Sequence, residues 1–581
     1  MKILLRLKPY LLKYKHLYII GFLATIVSNI SGIIVPLIIR NAIDSLSKNV
    51  QLIEIIKTSL LIVFVSIIAG VCLFLTRRTI IVASRKIEYD LRNDFFSHLL
   101  KLDLKYFQNT STGDLMAHAT NDINAVRNFL GPAILYSSDT IVAFIMITAI
   151  MISINSHLTI ISFIPLPFIS IFVYLIASSV NKKFEKVQSQ YSLLTSKAQE
   201  SISGIRVVKS FVREQNEIKL FGNISKEYFN KNMKLVKVHS LMFPLMVLFI
   251  GISIVLVIWF GGRMVINDKL TLGNLTAFII YLGWLIWPMI AFGWVANLVQ
   301  QSAASMKRLA KILDTEPEVE NSNNKLSVTE LHGDILLKDV YFRYSKNSPD
   351  IIKGINLNIK AGTSLAIIGR TGSGKTTLVN LINRLYDVTK GSIHIDGVNI
   401  KDLPIETIRQ NIGYVTQETF LFSTTIKENI IYGINTYNEE DFKKAVDIAQ
   451  IDKDVRSFPD SYDTIIGERG ITLSGGQKQR VSIARAIMKK PKILILDDAL
   501  SAVDTYTEEE ILKRLRNFME NRTCILISHR ISTIKDADLI VVLDNGIIVE
   551  SGSHKELIEI GGIYYELYQK QLLEEEIEEI E

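Results

Sequence analysis

About six apolar stretches crowd the first ~310 residues of this chain, each long enough to cross a hydrocarbon core of roughly 30 Å. They centre on Leu17–Ile39, Ser59–Leu75, Ala133–Ile152, Leu158–Ala177, Met242–Phe260 and Leu275–Val295. Several contain proline (Pro36, Pro165, Pro167, Pro244, Pro288), which a bundle tolerates where neighbouring helices re-satisfy the freed backbone groups. On hydropathy alone the last stretch also fits a re-entrant or buried helix. Composition agrees with a membrane portion: 48% of the 581 residues are hydrophobic, 21% are charged and the mean hydropathy is +0.27. A soluble chain of this length needs more charged surface.

The formal net charge is +7, yet the basic residues flank apolar stretches instead of gathering into one patch, so nucleic acid is not an expected partner. Stretches two and three are separated by a long segment with Arg77, Arg78, Arg85, Lys86, Arg92 and Lys105. Stretches four and five are separated by another, with Lys182, Lys183, Lys186, Lys197, Arg206 and Lys209. The positive-inside rule puts both in the cytosol, and with them the N-terminus. Both are rich in helix formers, so the membrane helices are expected to project into the cytosol and turn there. Met1 to about Lys15 reads as a short amphipathic helix on the inner membrane surface; it has no small-residue cleavage site. Cys72 and Cys524 are the only cysteines, which excludes a disulfide framework and leaves packing as their role.

The character changes after Met306-Lys307-Arg308. Thr315–Leu331 is polar, with Pro317 and Asn321-Ser322-Asn323-Asn324, and reads as a linker. From about Asp334, β-rich runs alternate with helical patterns, which predicts an α/β unit with a parallel sheet. Its buried strands are Leu365–Ile368, Ile493–Leu496 and Cys524–Ile527. The expected architecture is an all-α six-helix transmembrane domain (1–310), a linker (311–333) and an α/β domain (334–570). An acidic tail (571–581) follows and reads as a solvated helix end, with partner binding as the alternative.

The α/β unit carries the chemistry. Gly369-Arg370-Thr371-Gly372-Ser373-Gly374-Lys375-Thr376 follows a buried strand and opens a helix, the context a phosphate loop requires. Its glycines let backbone N–H groups close on phosphates, and the helix N-terminus adds partial positive charge. Lys375 is placed to reach the β- and γ-phosphates, the Thr376 hydroxyl to ligate Mg²⁺, and Thr377 follows in the same turn. Asp497 ends the strand Ile493–Leu496, where a carboxylate holds Mg²⁺ through water.

Between loop and strand lies Leu473-Ser474-Gly475-Gly476-Gln477, which resembles the signature of ATP-binding cassette (ABC) ATPases. The resemblance extends over nearly the whole chain and implies an exporter-type half-transporter, with a membrane domain fused ahead of its cassette. It implies ATP and Mg²⁺ as cofactors. It assigns Tyr344 to stacking on adenine, Gln417 to Mg²⁺ and the attacking water, and His529 to a switch near the γ-phosphate. It also implies a dimer of two such chains, in which Leu473–Gln477 and Asp504, within Ser501-Ala502-Val503-Asp504, complete the partner's ATP site. Gly467-Glu468-Arg469-Gly470 resembles a segment that touches the cytosolic helices. Tyr106-Phe107 with Thr112–Leu115, and Gly204–Phe211, resemble the two cytosolic loops that dock on cassettes, while Leu272–Phe278 resembles the start of the sixth span. The lack of a protease domain before the first span speaks against a peptide-processing exporter.

One position departs from the family pattern. Asp498 follows Asp497 where a glutamate normally polarises the attacking water. Aspartate is one methylene shorter, and a general base must come within about 2.6–3.2 Å of its proton or act through one water. The resemblance therefore implies the weak-site subunit of a heterodimeric bacterial multidrug exporter, with a fully active homodimer as the alternative.

Asp139, inside the third stretch, is a candidate for a substrate cavity or gate, or else for an interhelical hydrogen bond or an interfacial position. Trp284, Trp287 and Trp294 fit a drug cavity or membrane anchoring. The expected function is ATP-driven export of hydrophobic or amphipathic compounds across the cytoplasmic membrane, with both termini cytosolic and lipid around the helices. A lipid flippase and a regulatory ATP-sensing subunit are the alternatives.

Overall fold

A computed structural model gives the fold and describes residues 2–46, 52–321, 330–467 and 473–580. The chain separates into two compact units: Met1–Leu99 with Gly113–Asp314, and Leu100–Thr112 with Thr315–Glu581.

In the first unit, five helices among the described residues are long and apolar enough to cross a membrane. They are Lys15–Leu46, Leu52–Leu99, Thr112–Ile154, Glu214–Ile266 and Leu272–Leu313. Leu52–Leu99 has 48 residues, about 72 Å at 1.5 Å per residue, so it extends well past any hydrocarbon core, as its basic second half predicts. None of its apolar window is buried; Phe64, Ile67 and Phe74 are exposed, which suits lipid and not water. The fourth predicted stretch, Leu158–Ala177, is not one continuous helix. Ser156–Phe163 ends before Ile164–Pro165, and Leu166–Ser203 begins after it. Pro165 has no N–H for the preceding turn, whereas Pro167 sits in a first helical turn that needs none.

Tyr281 and Phe278 are fully buried at the centre of this unit, against Ile147, Met151, Leu158 and Val257. The Tyr281 hydroxyl donates to the Ile33 carbonyl at 2.7 Å, satisfying a polar atom that burial otherwise penalises. The N-terminal segment is a 3₁₀ turn, Lys2–Leu7, then a helix, Lys8–Lys13. Its polar side is tied to Leu52–Leu99: Tyr10 donates to Asp94 at 2.5 Å and Lys13 to Asp90 at 2.6 Å. Arg308 grips buried Asp122 with two parallel N–H bonds, Nε donating at 2.9 Å, the fork geometry that makes arginine–carboxylate pairs specific.

The second unit has two sheets. A four-stranded antiparallel sheet has the order β2-β1-β4-β5, with β1 Ile335–Phe342, β2 Ile352–Ile359, β4 Lys390–Ile395 and β5 Val398–Asn399. The alternating pattern of a parallel α/β core does not announce it. The other sheet has the order β10-β9-β3-β8-β7-β6. Its strands are β3 Ser364–Ile368, β6 Ile412–Val415, β7 Ile493–Asp497, β8 Thr523–Ile527, β9 Leu539–Asp544 and β10 Ile547–Gly552. Strands β3, β6, β7, β8 and β9 pair in parallel, and β10 closes the edge antiparallel to β9. Leu365 and Ile367 point into one core, Ala366 and Ile368 into the other. Burial on both faces is why these strands read as unbroken apolar runs.

Leu100–Thr112 belongs to this unit. Asp103 accepts from the Glu318 backbone N–H at 2.6 Å, and Lys105 pairs with Glu318 at 2.6 Å, so this segment and the start of the predicted linker are tied together. Residues 322–329 of the predicted linker, 468–470 of the Gly467–Gly470 segment and Glu581 of the tail lie outside the described residues.

Candidate functional site

Strands β3, β7 and β8 deliver their C-terminal ends to one edge of the parallel sheet, where open α/β sheets bind ligands. After β3 the loop Gly369–Gly374 leads into the helix Lys375–Ile382. Gly372 and Gly374 have φ of +83° and +103°, which a Cβ disfavours. A Cβ on Gly369 would stand 2.0 Å from the Leu543 carbonyl oxygen. These glycines are therefore required by backbone geometry.

The cleft above this loop has a volume of about 300 Å³. Tyr344, Thr371, Gly372, Gly374, Lys375, Thr376, Thr377, Gln417, Asp497, Asp498 and His529 all line it. The sequence-predicted residues of the chain's own site thus come together, and Ile351 and Ile527, which sequence reading passed over, join them. Gly369, Arg370 and Ser373 sit in the loop behind: the Lys375 ammonium donates to the Gly369 carbonyl at 2.8 Å and to the Arg370 carbonyl at 3.0 Å. Burial pulls the Lys375 pKa down, against the attraction of Asp497 and Asp498. The Tyr344 hydroxyl hydrogen-bonds Thr377 at 2.9 Å, and its ring meets Phe342 and Tyr386 edge-on.

Asp497 is 1% exposed. Burial pushes its carboxyl pKa up, opposed by the neighbouring Thr376 hydroxyl, Lys375 and Tyr414, while Asp498 adds like-charge repulsion. Its Oδ2 is buried without a hydrogen-bond partner, a costly state for a carboxylate. An orphaned carboxylate oxygen beside Thr376, with Gln417 lining the same cleft, forms the all-oxygen donor set that a small hard cation takes. The residues present fit Mg²⁺.

Asp498 has a φ of +50°, a region aspartate tolerates better than most residues. Its backbone is fixed from both sides. Its N–H donates to the Ile527 carbonyl at 2.8 Å, and its carbonyl accepts from Ser501 Oγ at 3.0 Å and Gln479 Nε2 at 3.3 Å.

Leu473–Gln477 and Asp504 do not line this cleft. Ser474 caps the helix Gly475–Met488 in a capping box with Gln477, and the Gln477 amide also donates to Asp454 at 2.9 Å. Asp504 caps Thr505–Met519 by accepting from the Thr507 N–H at 2.9 Å. The helix Gly475–Met488 touches the Ser501–Asp504 turn closely: a Cβ on Gly476 would lie 2.7 Å from the Ala502 carbonyl oxygen.

Sequence reading also missed two glutamines outside the cleft lining. Gln479, 4% exposed, accepts from the Ala502 N–H and donates to Ser501, both at 2.9 Å. Gln571, on the last helix, accepts from the Ile531 N–H at 2.7 Å and donates to the His529 carbonyl. A lone glutamine in a polar helix gives no signal of such a bond, because the partner comes from a distant segment.

Comparison with known proteins agrees with this geometry. The family model for the ABC transporter transmembrane region matches residues 18–289, and the ABC transporter model matches residues 352–501. The chain is 36% identical to a probable multidrug resistance ABC transporter ATP-binding/permease protein, YheI, of Bacillus subtilis, over 96% of this chain and 95% of that one. It is 37% identical to the multidrug resistance-like ATP-binding protein MdlA of Buchnera aphidicola (98% and 97% covered). It is 35% identical to an ATP-dependent lipid A-core flippase of Desulfotalea psychrophila (98% and 99%). The solved structure of a bacterial Atm1-family ABC exporter with ATP bound superposes with a TM-score of 0.80 at 27% identity, covering 96% of this chain and 99% of that one. The chain belongs to the ABC transporter family, as an exporter-type protein that joins a transmembrane region to an ATP-binding cassette and drives export with ATP.

Proposed function

We propose that this chain is the weak-site half of a heterodimeric exporter of hydrophobic or amphipathic compounds in the bacterial cytoplasmic membrane. In this reading residues 1–310 form the membrane domain, 311–333 the linker, 334–570 the cassette and 571–581 the tail, with both termini cytosolic. The relatives named for multidrug resistance support the substrate class. The relative named as a lipid A-core flippase supports a second reading, lipid translocation.

The observation that carries the weak site is the clamped backbone of Asp498. A glutamate at this position would reach one methylene further. Recovering that reach from aspartate requires the backbone to advance, and the bonds to Ile527, Gln479 and Ser501 hold it back. Proton abstraction from water is lost steeply with distance, so nucleotide is held while hydrolysis is slow.

Lys375 and the loop N–H groups hold the phosphates, Tyr344 packs on the base, and Thr376, Asp497 and Gln417 would hold Mg²⁺, which supplies charge neutralisation at the phosphates. Asp498 orients the water and His529 closes over the terminal phosphate. Leu473–Gln477 and Asp504, outside this cleft, present a capped helix N-terminus to the nucleotide bound by the partner chain. Two cassettes closing on ATP bias a bistable membrane unit, and hydrolysis at the phosphate loop of the partner chain resets it.

ATPase assays in membranes test this reading, using the chain alone and co-expressed with a neighbouring half-transporter whose strand-end aspartate is followed by glutamate. The isolated chain should hydrolyse ATP slowly, and Asp498→Glu should raise the rate of the pair. Strong hydrolysis by the isolated chain, abolished by Asp498→Asn, would sink the weak-site proposal.

A further inference from the structure

The last membrane helix has a one-residue break in its regular pattern at Leu285, between Leu272–Trp284 and Ile286–Leu313, where the backbone itself stays helical (φ −71°, ψ −11°) and Pro288, three residues on, has no N–H to give the preceding turn. Beside this break lies a cavity of about 470 Å³, within the range that holds a drug-sized molecule. Trp284 and Trp287 flank the break and line the cavity with Asn29, Gly32, Asp139 and Pro288. The indoles are 40% and 52% exposed. Trp284 lies over Gly32, 3.8 Å from where a Cβ would stand, and Trp287 meets the Tyr136 ring edge-on at 6.4 Å.

Asp139 is the charged member of this lining. It sits six residues past Ala133, about 9 Å along the helix axis, where a carboxylate costs on the order of 3 kcal/mol unless it is paired or hydrated. Asn29 Nδ2 donates to Asp139 Oδ1 at 2.8 Å, which orients the group without neutralising it. No lysine, arginine or histidine is among the cavity's described lining residues. A carboxylate held by one amide, in a cleft lined mostly by apolar residues together with two indoles, matches the needs of a bulky cation with delocalised or shielded charge. The carboxylate supplies the counter-charge, the indoles supply cation–π attraction, and no hydrogen-bond donor is demanded of the ligand.

Resting on the export reading, we infer that this cavity selects lipophilic monocations over neutral molecules of the same shape, and that Asp139 sets the preference. The test uses the full-length complex in lipid nanodiscs with two matched probes, methyltriphenylphosphonium and neutral triphenylphosphine oxide, and reads quenching of tryptophan fluorescence. The native complex should bind the phosphonium at least ~10-fold more tightly, as a desolvated cation–π contact plus counter-charge supplies. Asp139→Asn should bring the two affinities within about threefold, as expected when one charge is removed, and Asp139→Glu should keep the preference. Trp287→Leu, which leaves the carboxylate in place, should lower phosphonium affinity as well. Equal affinities in the native complex, or an unchanged ratio in Asp139→Asn, would overturn the inference. Inside-out vesicles separate its failure from that of the export reading. ATP-driven uptake of the neutral probe without the phosphonium overturns the cation preference alone. Uptake of neither probe, with ATPase retained, overturns both.

Discussion

The side-chain amide of Gln571 holds the loop of His529 from behind: Nε2 donates to the His529 carbonyl, while Oε1 accepts from the Ile531 N–H at 2.7 Å. His529 follows β8 and reaches into the nucleotide cleft, whereas Gln571 belongs to the C-terminal helix Ile563–Ile580. A second tie arrives from the Ser501–Asp504 side. Glu508, 3% exposed on the helix that Asp504 caps, pairs with Arg530 and accepts from Thr533 at 2.6 Å. The residue expected to sense the terminal phosphate is thus held between the chain's last helix and the turn expected to contact the partner's site.

Removing the amide should loosen His529 without touching the phosphate loop. In a complex whose partner site is silenced by replacing its glutamate with glutamine, so that this chain's own site carries the turnover, Gln571→Leu is expected to lower kcat for ATP by about tenfold to a hundredfold, the scale of a ~1 Å misplacement, with KM changed by less than about threefold. Gln571→Glu keeps the acceptor for Ile531 and loses the donor to His529, so it should fall between. Steady-state ATPase kinetics on folded, purified complex decide it; an unaltered kcat in Gln571→Leu would show that the tie is structural only.

Asp497 illustrates the opposite balance, function maintained against stability. Because burial raises its folded-state pKa, its contribution to stability is favourable below the unfolded carboxylate pKa, near 3.9, and is lost as pH rises through the folded value. At neutral pH the buried charge destabilises the empty cassette. Asp497→Asn should therefore raise the nucleotide-free melting temperature by about a few degrees, and Mg-ATP should no longer raise it further. A lower melting temperature in the variant would contradict this account.

Much of this was legible in the sequence because it depends on local pattern. The loop from Gly369 to Thr376 announces itself by spacing and Asp497 by the apolar strand before it, whereas His529 is named only through the family resemblance. The long extension of Leu52–Leu99 beyond a membrane span follows from its basic second half. What stayed illegible depends on tertiary partners. Pro165 divides the fourth stretch, yet Pro36 is carried inside a continuous helix; local sequence does not distinguish them, since what matters is who satisfies the freed carbonyl. The β2-β1-β4-β5 sheet was hidden for a similar reason, because an antiparallel ladder leaves no mark on strand order until the register is known. Gln479 and Gln571 work through amides whose partners lie in other segments.

Cys524 reports on the cassette core. It is fully buried in β8, and burial pushes its thiol up to about 12, with Arg522 pulling slightly the other way. An unfolded thiol titrates near 8.5, so at pH 8 the native thiolate is about a thousandfold scarcer than an ordinary one. The stability that neutral burial confers is present below about 8.5 and is lost as pH rises towards 12. In a Cys72→Ser background, N-ethylmaleimide should label Cys524 only on unfolding, and the labelling midpoint in urea should fall as pH is raised above 8.5. Rapid native labelling at pH 8 would contradict the buried placement.

Gln479 joins two backbone groups and the Ser501 hydroxyl, which must move together at the expected cassette interface. Its amide accepts from Ala502 and donates to Ser501 and to the Asp498 carbonyl, and it rides on the helix that Ser474 caps. Gln479→Leu keeps the volume but leaves the Ala502 N–H without its partner, a loss of about 1–3 kcal/mol where the group is buried. It also frees the Asp498 carbonyl from one of its two side-chain bonds. The complex should lose hydrolysis by about tenfold or more through misplacement of the Ser501–Asp504 turn. If the clamp is what limits the reach of Asp498, Gln479→Leu combined with Asp498→Glu should depart from additivity by about 0.5–3 kcal/mol, as contacting residues do. A double-mutant cycle on kcat/KM measures that coupling; strict additivity would mean that Gln479 and Asp498 act independently and that the short carboxylate arm alone slows the site.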